Sequence, residues 1–421
     1  MSKIKELIKK IDEFLEKNSK IITISLITIQ FIILVGLLIY AGPYHEGDTP
    51  SYIKPAMSFI ETGRMLDGDA PTLYRTPGYL LYLALMYWLT GSDYGVVIPQ
   101  IFMAIAISYM VYYLVSNISK KKSLGCIAVL FIILDVSIYQ HTICILTDIM
   151  FSFLLVLSLF FLYKYTVSNS YKDILFCFLS INYALAVRPQ ILYLNIMINV
   201  ALLILVLMKK VSVKVFLTYV VLFSIIFVGW SYRNYVNIGE FSYTPIRNKD
   251  YYKYYAPYTY MQENNASLSQ ANEYLRDELL AKYPDYESLD GMAQINAKAD
   301  IGKAYVYSHM GSFIICNFKG LFYEMCLDNM DIIESIHMSQ SAKLWIGRFF
   351  EGFLVLSYLI YAYGFLKNIT KHDWLDWLIL IVVMYLMAST AIVGQARYRL
   401  AFYPLSIIGT FTCYRDKRKN R

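Results

Sequence analysis

An all-α polytopic membrane protein is the fold class this sequence predicts, on three observations. Of its 421 residues 57% are hydrophobic and only 16% charged, with a mean hydropathy of +0.45, whereas soluble domains carry about 25% charge. Apolar runs long enough to cross a hydrocarbon core, which takes about 17 to 25 residues, recur along the chain. Lysines and arginines fall in short clusters between those runs, so the net charge of +7 reads as a topology signal and makes no case for a nucleic-acid partner.

The clear runs are 21–41, 96–116, 150–167, 191–208, 215–232, 345–366 and 374–393. Shorter runs at 124–139, with Asp135 near its far end, and at 174–187 and 400–414 bring the set to about ten transmembrane helices. The last two reach only about 21 to 23 Å at 1.5 Å per residue and call for a locally thinned bilayer. Six lysines precede position 21, a start too long and mixed in charge for a signal peptide, so 21–41 reads as a retained anchor.

Orientation follows from the basic residues. The N-terminal tail, 120–122, Lys164 and Lys172, 209–214, Lys367 and Lys371, and the tail 415–421 together hold 21 of them. All can face the cytoplasm only if 80–91, too short to span, lies along the outer surface as a juxtamembrane helix. The outward connections then hold six: Lys54, Arg64, Arg75, Arg188, Arg397 and Arg399. Five are arginines, whereas the inner clusters are mostly lysine, which suggests a use beyond topology. The chain thus divides into an N-terminal transmembrane module, 1–232, with a long first outer loop at 42–95; an extracytoplasmic insert, 233–343; and a C-terminal module with a basic cytoplasmic tail, 344–421.

The insert carries a tyrosine-rich run at 250–258 and predicts helices at 267–283 and 291–317. Its 14 acidic against ten basic residues again speak against nucleic acid. Six cysteines show no C-x-x-C spacing and indicate neither a metal site nor a disulfide framework, although Cys316 and Cys326 could pair in an oxidising compartment.

Candidate chemistry begins in the first outer loop. Asp48 stands before Thr49-Pro50, a pair that suits a helix N-cap and first turn, while Pro55 raises the alternative that the helix starts there. Tyr52, Ala56, Phe59 and Ile60 give an interfacial apolar stripe, and Gly63 a stop. Asp48 reads either as a catalytic carboxylate or as an ordinary turn aspartate. Asp148 follows Thr147 at the start of a span; its alternative is a helix-terminal acid that complements the dipole. Arg75, Arg188, Arg233, Arg397 and Arg399 come to the same outer boundary. Their forked guanidinium groups suit a phosphate that gains charge, or else snorkel to lipid headgroups.

Asp48 in the first outer loop, followed by Arg75-Thr76-Pro77-Gly78-Tyr79 and a short apolar helix, resembles the bacterial membrane glycosyltransferases of the GT-C fold, relatives of the protein O-mannosyltransferases and of the aminoarabinose transferase of lipid A. Trp230-Ser231-Tyr232-Arg233-Asn234 resembles the family's W-x-x-R-N, and Arg397-Tyr398-Arg399 with Pro404 its late R-Y-R-x-x-x-x-P. The resemblance implies that Asp48 is the general base, Asp148 the second acid, and the five arginines the holders of a donor phosphate. In some relatives the second acid helps hold a divalent metal. Here His141 is the only other candidate ligand nearby, and Asp48 is followed by Thr49 where many relatives have a second acid, so the residues themselves call for no metal.

The expected activity is transfer of a hexose or pentose from a polyprenyl-phosphate carrier to a glycan, lipid or protein acceptor on the outer face of the cytoplasmic membrane. A surface polysaccharide polymerase is the nearest rival, but needs no first loop of this kind. A transporter or flippase would place ionisable residues deep in its spans or show two similar halves; Asp135 alone lies so, and no such halves are visible.

Overall fold

A computed structural model describes residues 2–326 and 339–414; the basic tail at 415–421 and the insert positions 327–338 lie outside the described residues. Every apolar segment is helical. Among the described residues six helices are long and apolar enough to span a membrane: α1 (Ser2–Ala41), α4 (Asp93–Ser119), α7 (Asp148–Ser168), α9 (Leu192–Leu207, entered through a turn at Pro189–Ile191), α10 (Val213–Ile238) and a C-terminal helix, Gln340–Lys367. The run expected as one helix at 124–139 is instead a pair, α5 (Lys122–Ile133) and α6 (Val136–Ile143), bent by 60°. Asp135 causes the break: in extended conformation it caps α6, its carboxylate accepting the Ser137 amide at 3.2 Å, a local bond that competes with helix continuation. The chain is a polytopic all-α membrane protein.

The remaining core-forming helices are shorter: α8 (Tyr171–Val187) and, near the C-terminus, Trp374–Thr390 and Arg399–Thr412. The last of these is the axis of the bundle. Every residue from Arg399 to Thr412 is buried, with α4, α5, α7 and the two preceding C-terminal helices packed around it. Its mostly apolar composition reads like a membrane span although it is only 14 residues long, and its polar side chains Arg399, Ser406 and Thr410 are buried with the rest. Large apolar side chains of α9 and α10, such as Met197, Val200 and Ile225, face outward, as lipid-facing residues do.

The first loop folds into α2 (Pro50–Thr62), a two-residue hairpin of β1 (Leu66–Asp67) and β2 (Ala70–Pro71), and α3 (Pro77–Thr90). Helix α2 starts at Pro50 and runs through Pro55, stopping at Gly63 with φ of +72°. Thr49 does not cap it: its hydroxyl donates to the Ile145 carbonyl at 3.2 Å and accepts the Glu46 amide at 3.0 Å, so it ties the turn to the bundle. Each residue of Arg75-Thr76-Pro77-Gly78-Tyr79 except Pro77, which opens α3, makes a specific contact. The Thr76 hydroxyl donates to the Val187 carbonyl at 3.1 Å, and buried Tyr79 donates to Gln100 at 2.8 Å. A side chain on Gly78 would meet the Ala186 backbone at 2.6 Å, so only glycine lets α3 sit against the end of α8.

The insert forms α11 (Ile246–Asp250), a π-helical turn (Tyr251–Tyr255), α12 (Ala256–Asn264), α13 (Leu268–Lys282), α14 (Gly291–Ser308) and α15 (Met310–Cys326). It has its own small core of Ala256, Leu275, Leu279, Tyr286, Ala297 and Ile301. The helix expected at 291–317 is two. At His309 the imidazole Nδ1 lies 3.0 Å from the Tyr305 carbonyl, a side-chain intrusion of the kind that breaks a helical ladder. None of the six cysteines is in a disulfide, and the Cys316 thiol donates to the Tyr258 carbonyl rather than pairing with Cys326. In the C-terminal part, α16 (Gln340–Lys367), α17 (Trp374–Thr390) and the axial α18 (Arg399–Thr412) complete the fold.

Candidate active site

Asp48 is delivered by backbone pairing. The Tyr44 amide donates to Ile143 at 2.9 Å and Ile145 donates back to Tyr44 at 3.0 Å, which stitches the chain leaving α1 to the segment between α6 and α7. The turn Glu46–Thr49 closes on itself, and the Ser51 hydroxyl donates to the Asp48 carbonyl at 2.6 Å. Asp48 is thereby held next to the start of α7, where Asp148 stands.

Three of the expected site residues join these two acids in two linked groups. Asp48 is gripped on both oxygens, by Arg75 at 3.0 Å and Arg397 at 3.0 Å. Arg75 is fixed from behind: it donates to Ser51 at 2.9 Å and to the Tyr52 hydroxyl at 2.8 Å, with its guanidinium 4.1 Å from a Tyr52 ring centre. Arg397 also reaches Glu46 at 3.3 Å. In the second group Arg188 binds Asp148 at 2.6 Å and the Thr147 hydroxyl at 2.6 Å. Tyr398 joins the two, its ring centre 5.5 Å from the Arg188 guanidinium and 5.2 Å from that of Arg397. Segments far apart in sequence, around positions 48, 75, 148, 188 and 397, thus converge at one end of the bundle.

The other two arginines lie elsewhere. Arg233 donates to the carbonyls of Thr72 at 2.8 Å and Met65 at 3.1 Å and stacks over Trp230, so it clamps the β1–β2 hairpin. Asn234 binds the carbonyls of Ser242 and Tyr243, which turns the chain after α10. Arg399 is fully buried and pairs with Asp135 at 3.0 Å, also donating to Ser137 at 2.6 Å.

Electrostatics separates the groups of the cluster. Burial opposes ionisation of Asp48, but the charges of Arg75 and Arg397 outweigh it and hold the carboxyl below its usual value of 3.8. The Asp48 side chain is nevertheless 40% exposed, against 1% for Asp148. Two buried polar atoms of the cluster, Arg397 Nε and Asp148 Oδ2, have no hydrogen-bond partner among the described residues. The donor set does not fit a metal: among the described residues no three His, Cys, Asp or Glu side chains converge as ligands. His141, fully buried, lies 3.6 Å from Glu46.

Sequence reasoning missed Tyr398 and the supports Ser51 and Tyr52. Tyr398 stood in plain view between two arginines, but nothing in a tripeptide says that its ring bridges guanidinium groups from different segments.

No family model matches the chain, and no curated protein does. Among solved structures it is similar to ArnT from Cupriavidus metallidurans bound to undecaprenyl phosphate, with a TM-score of 0.42 and 11% identity over 92% of this chain and 77% of that one. It is also similar to the same protein in the apo state, with a TM-score of 0.41 and 10% identity over 92% and 76%.

Proposed function

We propose that this chain is a membrane glycosyltransferase of GT-C type, which moves a hexose or pentose from a polyprenyl-phosphate carrier to a glycan, lipid or protein acceptor. The cluster would face the outside of the cytoplasmic membrane, as the distribution of lysines requires. The observation that carries the reading is the convergence of Asp48 and Asp148 with Arg75, Arg397 and Arg188, at a point where one carboxylate is accessible and two polar atoms lack partners. An isolated arginine at a membrane surface is explained by snorkelling, but three arginines facing two acids are not.

In the reaction the acceptor oxygen bonds to the anomeric carbon, the bond from that carbon to the phosphate oxygen breaks, and the acceptor proton passes to Asp48. The departing phosphate takes up the electron pair and its charge rises. Arg75 and Arg397 match that charge with forked donors that need no rearrangement of charge state. One Nη nitrogen of each arginine is bonded to Asp48, which makes it a weak base. A phosphate that draws the guanidinium groups toward itself raises the Asp48 affinity for a proton, so donor binding itself prepares the base. Asp148, with Arg188 on one oxygen, orients Arg188 and Tyr398 from the far side of the cluster.

The test is turnover of a labelled polyprenyl-phosphate sugar by purified protein in nanodiscs, with donor binding measured separately. Asp48→Asn keeps the shape and loses the proton acceptor, so it retains donor binding and slows transfer by at least about 100-fold. Glu46→Gln, whose carboxylate supports Arg397, has a much smaller effect. An Asp48→Asn enzyme within about tenfold of wild type excludes Asp48 as the base.

A further inference from the structure

Beside the catalytic cluster the insert encloses a second feature, a cavity of about 600 Å³, within the usual range for ligand sites. Of the insert's ten basic residues three line it, Lys249, Lys253 and Lys298, while no acid among the described residues does. None of these lysines has a carboxylate oxygen within 4 Å among the described residues, whereas Lys282 elsewhere in the insert is paired with Asp300. Lys249 and Lys298 are half-buried all the same. In place of acids the lysines have aromatic faces. Lys249 lies 4.3 Å from the ring centre of Tyr74, and Lys298 lies 5.2 Å from that of Tyr286 and 5.7 Å from that of Tyr252. Five tyrosines line the cavity in all, with the amides of Asn272 and Gln294.

The π-helical turn Tyr251–Tyr255 borders the cavity. Through the widened turn Tyr252, Lys253 and Tyr254 all line it, and such bulges recur at functional sites. The wall also contains Leu73 and Tyr74, and Tyr74 immediately precedes Arg75 of the catalytic cluster.

We infer that this cavity is the acceptor subsite and that it takes an anionic saccharide, one whose rings stack on the tyrosines and whose carboxylate or phosphate groups meet the three lysines. This rests on the glycosyltransferase reading. A tyrosine face is apolar with a negative quadrupole, suited to the C–H face of a sugar ring, and the amides can meet hydroxyl groups. The three lysines, with no acid in the lining, supply a positive charge that a neutral sugar cannot use. Compact and mobile ammonium groups suit anions spaced irregularly along a chain better than the rigid arginine fork does.

The experiment measures binding to the full-length protein in nanodiscs of neutral lipid, by calorimetry, with tetragalacturonate, maltotetraose and inorganic phosphate as probes. Tetragalacturonate binds at least about tenfold more tightly than either of the others, the preference shrinks with salt, and Lys249→Gln/Lys253→Gln/Lys298→Gln abolishes it while polyprenyl-phosphate binding stays unchanged. Equal binding of the two tetrasaccharides overturns the inference, as does a preference that survives in the triple variant. Phosphate binding as tightly as tetragalacturonate reduces the cavity to an anion site without sugar recognition. If phosphatidylglycerol in the nanodisc displaces tetragalacturonate, the lysines belong to the membrane surface. Should the wild type fail to bind polyprenyl phosphate at all, the glycosyltransferase reading falls, and this outcome is separate from the others.

Discussion

Arg397 and Arg399 are two residues apart and were read from sequence as equivalent, yet they lie in opposite surroundings. Arg397 leaves the turn before α18 and meets Asp48, a carboxylate that is 40% exposed. Arg399 opens α18, points into the bundle axis and meets Asp135, which is 2% exposed. Both pairs have the same 3.0 Å separation. What differs is whether a third charge can reach them. An accessible pair exchanges partners when a phosphate arrives; an enclosed pair can only stay as it is, and losing one member leaves a bare charge in a low-dielectric core. Asp135 and Arg399 therefore fasten the α5–α6 bend to the axial helix. A deep ionisable pair is also what a transporter would show, but this one is enclosed on all sides.

The comparison breaks most visibly at Arg399. Arg399→Met strands Asp135 and costs about 3 to 5 kcal/mol of stability, seen as loss of folded protein or a much lower thermal midpoint in detergent. Adding Asp135→Leu to the same chain restores most of it, because the unpaired charge is gone. If Arg399→Met folds normally and loses donor binding instead, Arg399 belongs with the phosphate group and the contrast is wrong.

At the accessible pair the effects move from stability to binding. Arg397→Ala and Arg75→Ala each weaken polyprenyl-phosphate binding by about tenfold or more, equivalent to about 1.4 kcal/mol, with thermal midpoints close to wild type. Lysine at either position rescues only in part because it lacks the fork. Wild-type binding and turnover in both alanine variants, at equal protein levels, would return these arginines to the role of interfacial anchors.

The smallest effect sharpens the same point through Asp250. Burial lifts its pKa to about 6, although Lys249, Lys253 and Arg75 pull the other way. The folded protein therefore holds this proton more tightly than the unfolded chain, whose carboxyl titrates near 3.8. Its stabilising contribution is complete below about pH 4 and is lost as the pH rises through 6. Asp250→Asn should accordingly stabilise the protein at pH 8, by about 1 kcal/mol for a half-buried group, and leave it unchanged at pH 4. Thermal midpoints at the two pH values check this, and an equal shift at both would show that Asp250 is not titrating.

The amino-acid sequence by itself determined where the chain is helical and apolar, because length and composition of a run suffice for that. It also determined the stop at Gly63, since the left-handed residue there is a local requirement of the backbone. Asp48, Asp148, Arg75, Arg188 and Arg397 were legible as candidates because ionisable groups at the ends of apolar runs are few. Only the tertiary structure decided which of them meet. The parting of Arg397 from Arg399, the clamping of the hairpin by Arg233 and the bridging by Tyr398 all depend on contacts between segments far apart in the chain. The axial place of α18 was equally hidden. A short, mostly apolar run does not say from its sequence whether lipid or protein surrounds it, and only the packing of α4, α5, α7, α16 and α17 around it settles which.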